Sequence, residues 1–165
     1  MLQAGKLLTA LCEADVAFVI VGGMAAVAHG SAYVTADLDI CYLRQPDNYA
    51  RLSRALRPFQ PRLRDAPAHL PFTLDDNTLK AGLNFTLVTE AGDFDLMGEI
   101  AGLGDYGAVN ALAEDLVLFG HRIRVLSLTG LIRSKEAAGR PKDLRLLTEL
   151  KALQALRGEP PESAG

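Results

Sequence analysis

The stretch VAFVIVGGMAAVAHGSAYVTADLDICYL, residues 16–43, decides how this chain folds. It opens on a short apolar run, Ala17 to Val21, which predicts a buried strand. Gly22-Gly23 breaks the run. Met24 to His29 then carries small apolar side chains at helical spacing, with Gly30 as a stop. Thirteen residues separate Gly23 from Asp37-Leu38-Asp39-Ile40, and Leu38 to Leu43 is again strand-like. On a strand, residues i and i+2 share a face and lie about 7 Å apart, so Asp37 and Asp39 project together. Leu38 and Ile40 point the other way, into a core. Two such carboxylates repel each other unless something positive sits between them. A hard divalent cation with oxygen ligands, Mg²⁺ or Mn²⁺, meets that need. The plain alternative is a solvated strand start with two surface acids, and the pair alone does not choose between them.

Gly22-Gly23 joins a strand to a helix, where backbone N–H groups are unpaired and the helix dipole favours an anion. Glycine there lets a phosphate chain approach the backbone closely. The alternative is an ordinary strand-to-helix turn. The G-x-x-x-x-G-K-[ST] phosphate loop is absent, and no third glycine follows at dinucleotide-binding spacing.

Outward from this stretch, Leu2 to Glu13 places Leu2, Leu7, Leu8, Leu11 and Cys12 on one face of an amphipathic helix. Asn48 to Leu56 predicts a helix capped by Asp47 or Asn48 and ended by Pro58. The Pro- and Asp-rich segment from Phe59 to Asn77 is expected to hold a short strand near Phe72 to Leu74. Asn84 to Thr89 and Asp93 to Met97 read as a hairpin turning at Ala91-Gly92. Asp95, between Phe94 and Leu96, repeats the pattern of Asp39 and supplies a third ligand if its strand lies beside the first. Two ions could then serve a hydroxyl nucleophile and a leaving pyrophosphate. Asp93 reads as a turn residue.

Tyr106 to Glu114 predicts a short helix. Leu116 to Phe119 and Ile123 to Leu126 predict strands joined around Gly120. Leu128 to Ala138 is a helix capped by Ser127, and Pro141 to Leu156 another with Pro141 in its first turn. The expected architecture is α/β (α+β), a mixed sheet flanked by helices, as one domain over residues 1–157. Residues 158–165 are expected to form a disordered tail.

The 165 residues are 49% hydrophobic and 22% charged, which suits a single domain with a real core. The formal charge of −3 excludes a protein that coats nucleic acid by charge alone, though a local basic groove remains compatible with it. Arg133, Lys135, Arg140, Lys142 and Arg145 form such a local cluster; it reads as a solvated helix face paired with Glu136 and Asp143, or as a phosphate- or RNA-facing surface. Cys12 and Cys41 lack metal-binding spacing and read as small buried apolar residues in a reducing compartment. No secretory leader or apolar run of membrane-spanning length is read at either end, so a cytoplasmic protein is expected. His29 reads as a helix-end residue, and His69 and His121 as loop residues. Thr35 shares a strand face with Asp37 and is a candidate for contact with phosphate or bound water.

The combination Val21-Gly22-Gly23, Asp37-Leu38-Asp39-Ile40 and Phe94-Asp95-Leu96 resembles the signature of the nucleotidyltransferase superfamily. Residues Gly22 to Gly30 are similar to its small bacterial and archaeal members, including toxins of the abortive-infection type. The segments Ser127 to Lys135 and Gly139 to Leu144 are similar to the helical end of that group. The resemblance covers roughly Val16 to Leu150. It implies that Asp37 and Asp39 bind Mg²⁺ or Mn²⁺ and that Asp95 orients or deprotonates an acceptor hydroxyl. It further implies that Gly22, Gly23, Thr35 and Lys135 bind a nucleoside triphosphate. The implied reaction transfers a nucleoside monophosphate to RNA, a protein or a small hydroxyl compound, and the implied setting includes a toxin with an antitoxin partner. Two positions depart from the pattern: Gly23 lacks the hydroxyl of a serine found there in many relatives, and Tyr33 stands where many carry arginine. Two other readings stay open, a catalytically inactive domain that binds nucleotide or a partner protein, and a structural α/β domain with incidental acids.

Overall fold

A computed structural model describes residues 1–158. Seven strands form one mixed sheet in the order β3-β4-β5-β2-β1-β9-β8. β1 (Phe18–Val21) is an interior strand and lies fully buried, as a continuous apolar run requires. It runs antiparallel to β2 (Asp37–Tyr42) and parallel to β9 (His121–Leu126). On its other side β2 pairs in parallel with β5 (Gly92–Met97), which forms the expected hairpin with β4 (Phe85–Thr89). The two-residue β3 (Arg62–Leu63) and β8 (Ala113–Leu118) close the two edges. A separate two-stranded ribbon joins β6 (Glu99–Ile100) to β7 (Gly104–Asp105).

Helices cover the sheet in two groups. α1 (Ala4–Glu13) buries Leu7, Leu8 and Leu11 and packs on α3 (Pro46–Leu56), which packs in turn on α4 (Asp76–Ala81). α2 (Gly22–Ala28) packs on α6 (Leu128–Ala138), and α6 on α7 (Leu144–Leu156). α5 (Tyr106–Ala111) lies against β1, β2 and β9. The core is aliphatic, with Tyr42 and Phe94 its largest fully buried side chains. None of the described helices is long and apolar enough to cross a membrane.

The mixed α/β architecture expected from sequence is the one observed, with local differences; one is that the helix expected from Tyr106 to Glu114 ends at Ala111, with Ala113 and Glu114 in β8. α3 starts at Pro46 with Gln45 before it, so neither Asp47 nor Asn48 caps it. Asn48 is buried instead, because its amide is claimed by the backbone of Ala17 and Leu43. The strand expected near Phe72 to Leu74 is irregular chain; the edge strand of that segment is β3, ten residues earlier, paired with Leu87 and Val88. α4 follows it, capped by Asp75, whose carboxylate accepts the Thr78 N–H at 2.8 Å. The helix expected from Pro141 is a 3₁₀ turn over Pro141–Asp143 leading into α7. Of the expected tail, Gly158 lies in a turn after α7, and residues 159–165 fall outside the described part.

Candidate active site

The sheet brings together what the sequence kept 56 positions apart: Asp39 lies directly opposite Asp95 in the β2–β5 register, and Asp37 opposite Asp93. Alternation does the aiming. Leu38 and Ile40 on β2, and Phe94 and Leu96 on β5, are buried, so the aspartates between them share the other face. One carboxylate oxygen each from Asp37, Asp39 and Asp95 lies within 4.8 Å of the other two. Among the described residues this is the one group of three or more His, Cys, Asp or Glu side chains so arranged. His69 and His121 belong to no such group.

Two of the three acids are raised above the ordinary carboxylate range. Burial, reinforced by the charges of Asp37 and Asp95, pushes the Asp39 carboxyl up to about 7, against a smaller opposing pull from Lys135. Asp95 is also raised by its burial, although Arg64 draws it down. Asp39 Oδ1 is buried and has no hydrogen-bond partner. A buried oxygen of this kind needs a partner, and a divalent cation bound by three carboxylate oxygens is one that fits the donor set.

Gly22 starts α2 at φ +63°, and a Cβ there would collide with Asp39 Oδ2. The glycine is thus required both by its left-handed backbone and by the carboxylate it faces. At Gly23 an added Cβ would stand 2.8 Å from Tyr33 Cε1 and 3.0 Å from Thr35 Oγ1, so the Tyr33 ring and the Thr35 hydroxyl fill the space a larger residue would need. Thr35 Oγ1 donates to the Asp37 carbonyl at 2.7 Å and lies 3.4 Å from Asp37 Oδ1. Its proton is therefore committed to holding the start of β2.

A polar cleft of about 410 Å³ opens over the cluster and is walled by Gly23, Thr35 and the three aspartates, with Arg64, Lys135 and Arg140 above them. Lys135 comes from α6, with Nζ 3.4 Å from Asp143 Oδ1. Arg140 Nε donates to the same carboxylate at 2.7 Å. The buried Asp143 thus ties two cations to the cleft. Of the expected helix-face pairs, Glu136 instead meets Lys151 at 3.1 Å.

One participant escaped the sequence reading. Arg64, from the irregular segment after β3, donates from Nη2 to Asp95 Oδ1 at 2.7 Å and to the Leu87 carbonyl at 2.7 Å. Its Nε lies 3.4 Å from Asp93 Oδ2, which is ion-pair distance without hydrogen-bond geometry. Asp93 sits on β5 rather than in a turn, opposite Asp37 in the strand register, and shares Arg64 with Asp95. Asp143 was visible in sequence only as a partner for a helix face. His29 stands apart from the cluster: it is buried, donates from Nε2 to the Leu126 carbonyl at 2.8 Å, and offers Nδ1 to Arg157. Its ring links α2 to β9 and α7, while its backbone N–H ends its own helix on the Ala25 and Ala26 carbonyls, the helix-end place expected from sequence. Cys41 is buried, which pushes its thiol up to about 12, and Cys12 is half-buried; neither lies at the cleft.

No protein-family profile matches the chain, and no curated protein matches it. Solved structures do. TM1012 of Thermotoga maritima, assigned to the nucleotidyltransferases, superposes with a TM-score of 0.56 at 16% identity, over 92% of this chain and 96% of that one. ANT(2'')-Ia in complex with adenylyl-2''-tobramycin gives 0.54 at 15% identity, over 92% of both chains. The antibiotic-resistance factor ANT(2'')-Ia in solution gives 0.53 at 16% identity, over 93% of this chain and 88% of that one. Most of each chain is matched, at an identity that speaks for shape alone. The chain has the nucleotidyltransferase fold.

Proposed function

We infer that the protein is a Mg²⁺- or Mn²⁺-dependent nucleotidyltransferase that moves a nucleoside monophosphate from a nucleoside triphosphate to a hydroxyl acceptor. The observation that carries this is the trio Asp37, Asp39 and Asp95 on neighbouring strands, with one oxygen of Asp39 buried and unpartnered. Asp37 and Asp39 would hold the cation, with Asp95 as the third ligand. When bound, the cation polarises the phosphoryl oxygens and neutralises charge on the leaving pyrophosphate. Gly22 and Gly23 present backbone to the phosphates, and Lys135 faces them from α6. Thr35 serves through Asp37, whose strand it anchors. The acceptor oxygen attacks the α-phosphorus, the bond to pyrophosphate breaks, and Asp95 takes the hydroxyl proton or hands it to water. The acceptor is RNA, a protein or a small hydroxyl compound. The cytoplasm, where nucleoside triphosphates are abundant, is the compartment that fits. The similarity of residues 22–30 to abortive-infection proteins supports a toxin paired with an antitoxin as its setting.

A second reading, a nucleotide- or partner-binding domain without catalysis, is favoured by one observation: Arg64 already occupies Asp95 Oδ1. Calorimetric titration of the four ribonucleoside triphosphates with Mg²⁺ separates the two. Metal-dependent binding to the wild type that is lost in Asp37→Ala and Asp39→Ala is the expected result. Absence of binding to every triphosphate would sink the enzymatic assignment and turn attention to protein partners.

A further inference from the structure

α1 buries Leu7, Leu8 and Leu11 and turns its other side to solvent. A shallow depression of about 620 Å³ lies along that side, lined by Gly5, Lys6, Thr9, Ala10 and Glu13, with Phe59 and Phe119 beside it. Lys6 and Glu13 are exposed, and among the described residues neither side chain has an ion-pair partner. Seven positions place them on one helix face about 10 Å apart along the axis, too far to pair with each other. Phe119 is 58% exposed, the one exposed phenylalanine among the described residues. Its ring already rests on Gly5, where an added Cβ would stand 2.9 Å from Phe119 Cδ1. It opens the two-residue turn Phe119-Gly120 of the β8–β9 hairpin, where φ is +51° and +79°. Such turns favour asparagine or aspartate before the glycine, so the turn itself gives no reason for a phenylalanine.

We propose that this face is the interface of a homodimer, in which α1 packs antiparallel against α1 of a second copy about a two-fold axis between Thr9 and Ala10. The charge pattern selects this occupant. A two-fold contact must be complementary to itself. About that axis Lys6 lies level with the partner's Glu13, and Glu13 with the partner's Lys6, so both unpaired charges of each copy are matched. A parallel pair would instead set Lys6 against the partner's Lys6. Between the charged ends lie Thr9 and Ala10, with Gly5 beside them, and side chains this small let two helices approach closely. Phe59 and Phe119 add the apolar area that the helix face lacks, and aromatic side chains anchor contacts of this kind. Exposed ion pairs add little affinity and mainly fix register, so the aromatics hold the dimer and the charges align it. The polar cleft over the carboxylates is lined by none of these residues, so nucleotide contacts and dimer contacts are independent.

Sedimentation equilibrium of the full chain, from low to high micromolar concentration, tests this. A monomer–dimer equilibrium is expected for the wild type. Lys6→Glu alone and Glu13→Lys alone each set like charges together at both ends of the helix pair, and each is expected to weaken the dimer about tenfold or more. The two changes combined restore opposite charges at the same levels and are expected to return the dissociation constant to within about threefold of the wild type. Both changes also suit the helix dipole, so neither threatens the fold. Phe119→Asn, a residue this turn prefers, is expected to keep the fold and to weaken the dimer about tenfold or more. Far-UV circular dichroism confirms that the variants fold. A wild type that stays monomeric throughout would overturn the proposal. A dimer indifferent to the single charge reversals, or a combined variant no tighter than either single one, would overturn it equally.

Discussion

Asp39 faces the start of α2 on one side and two further carboxylates on the other, and its burial sets fold against site. Its carboxyl is near 3.8 when unfolded and about 7 when folded, so between these values the folded protein holds the extra proton. Stability of the metal-free protein therefore falls as pH rises from about 4 to about 7 and flattens above. Asp39→Asn removes that slope. In chelator at about pH 8 it is expected to stabilise the chain by on the order of 2–4 kcal/mol and to abolish the rise in melting temperature expected of the wild type with Mn²⁺. Chemical denaturation at about pH 5 and pH 8, with and without Mn²⁺, checks both. A wild type and variant with parallel pH dependence would refute the strain assigned to Asp39. The residues of this scale that sequence disclosed are those with a local pattern, the aspartates flanked by core side chains and the glycine pair after a strand. Arg64 has no such pattern, because its partners Asp95 and Leu87 are 31 and 23 positions away.

At the scale of elements, the far ends of β1 and β2 are held by the first turn of α3. Asn48, 1% exposed, accepts the Ala17 N–H at 2.8 Å and donates to the carbonyls of Ala17 at 3.1 Å and Leu43 at 2.8 Å. Asn48→Ala would strand these backbone groups in the core and is expected to cost about 3 kcal/mol. Because Leu43 follows the end of β2 and Asp37 begins it, cation affinity is expected to stay unchanged in the variant. Urea unfolding and Mn²⁺ titration measure the two, and a loss under about 1 kcal/mol would show that water replaces the amide. An asparagine at a helix start is ordinarily a cap, which is why the sequence suggested that role. Here the contest between capping its own helix and pairing two strand ends is won by the strands, since their polar groups have no water to turn to. The same logic explains the segment from Phe59 to Asn77. Its strand is the one that can bond to β4, and no local alternation marks two residues at a sheet edge.

On the scale of the whole molecule, α6 and the turn leading into α7 bring Lys135 and Arg140 to the cleft, and Asp143 couples the two. Burial pushes the Asp143 carboxyl up, but the Arg140 hydrogen bond and the charges of Lys135 and Arg140 outweigh it, and the net position is lowered. Its contribution to stability is thus in place above about pH 4 and is lost as pH falls through the depressed folded value. Asp143→Asn is expected to cost about 1–3 kcal/mol at neutral pH and to weaken nucleotide binding by loosening Lys135 and Arg140 together. Thermal melts and nucleotide titration of the variant test this. If stability drops with unchanged nucleotide affinity, Asp143 serves the fold alone.

By itself the sequence determined what short-range periodicity encodes: the strands on either side of Gly22-Gly23, the β4–β5 hairpin, the Ser127-capped helix and the shared face of Asp37 and Asp39. These follow from spacings of two to four residues, where side-chain direction is dictated by backbone geometry. Only the tertiary structure decided that β5 lies parallel and in register beside β2, because α3, β3, α4 and β4 intervene and nothing local specifies which strand edge β5 will meet. That pairing, along with Arg64 reaching Asp95 and Asp143 gathering Lys135 and Arg140, depends on surfaces that exist only once the core around Phe94, Ile40 and Leu38 has closed.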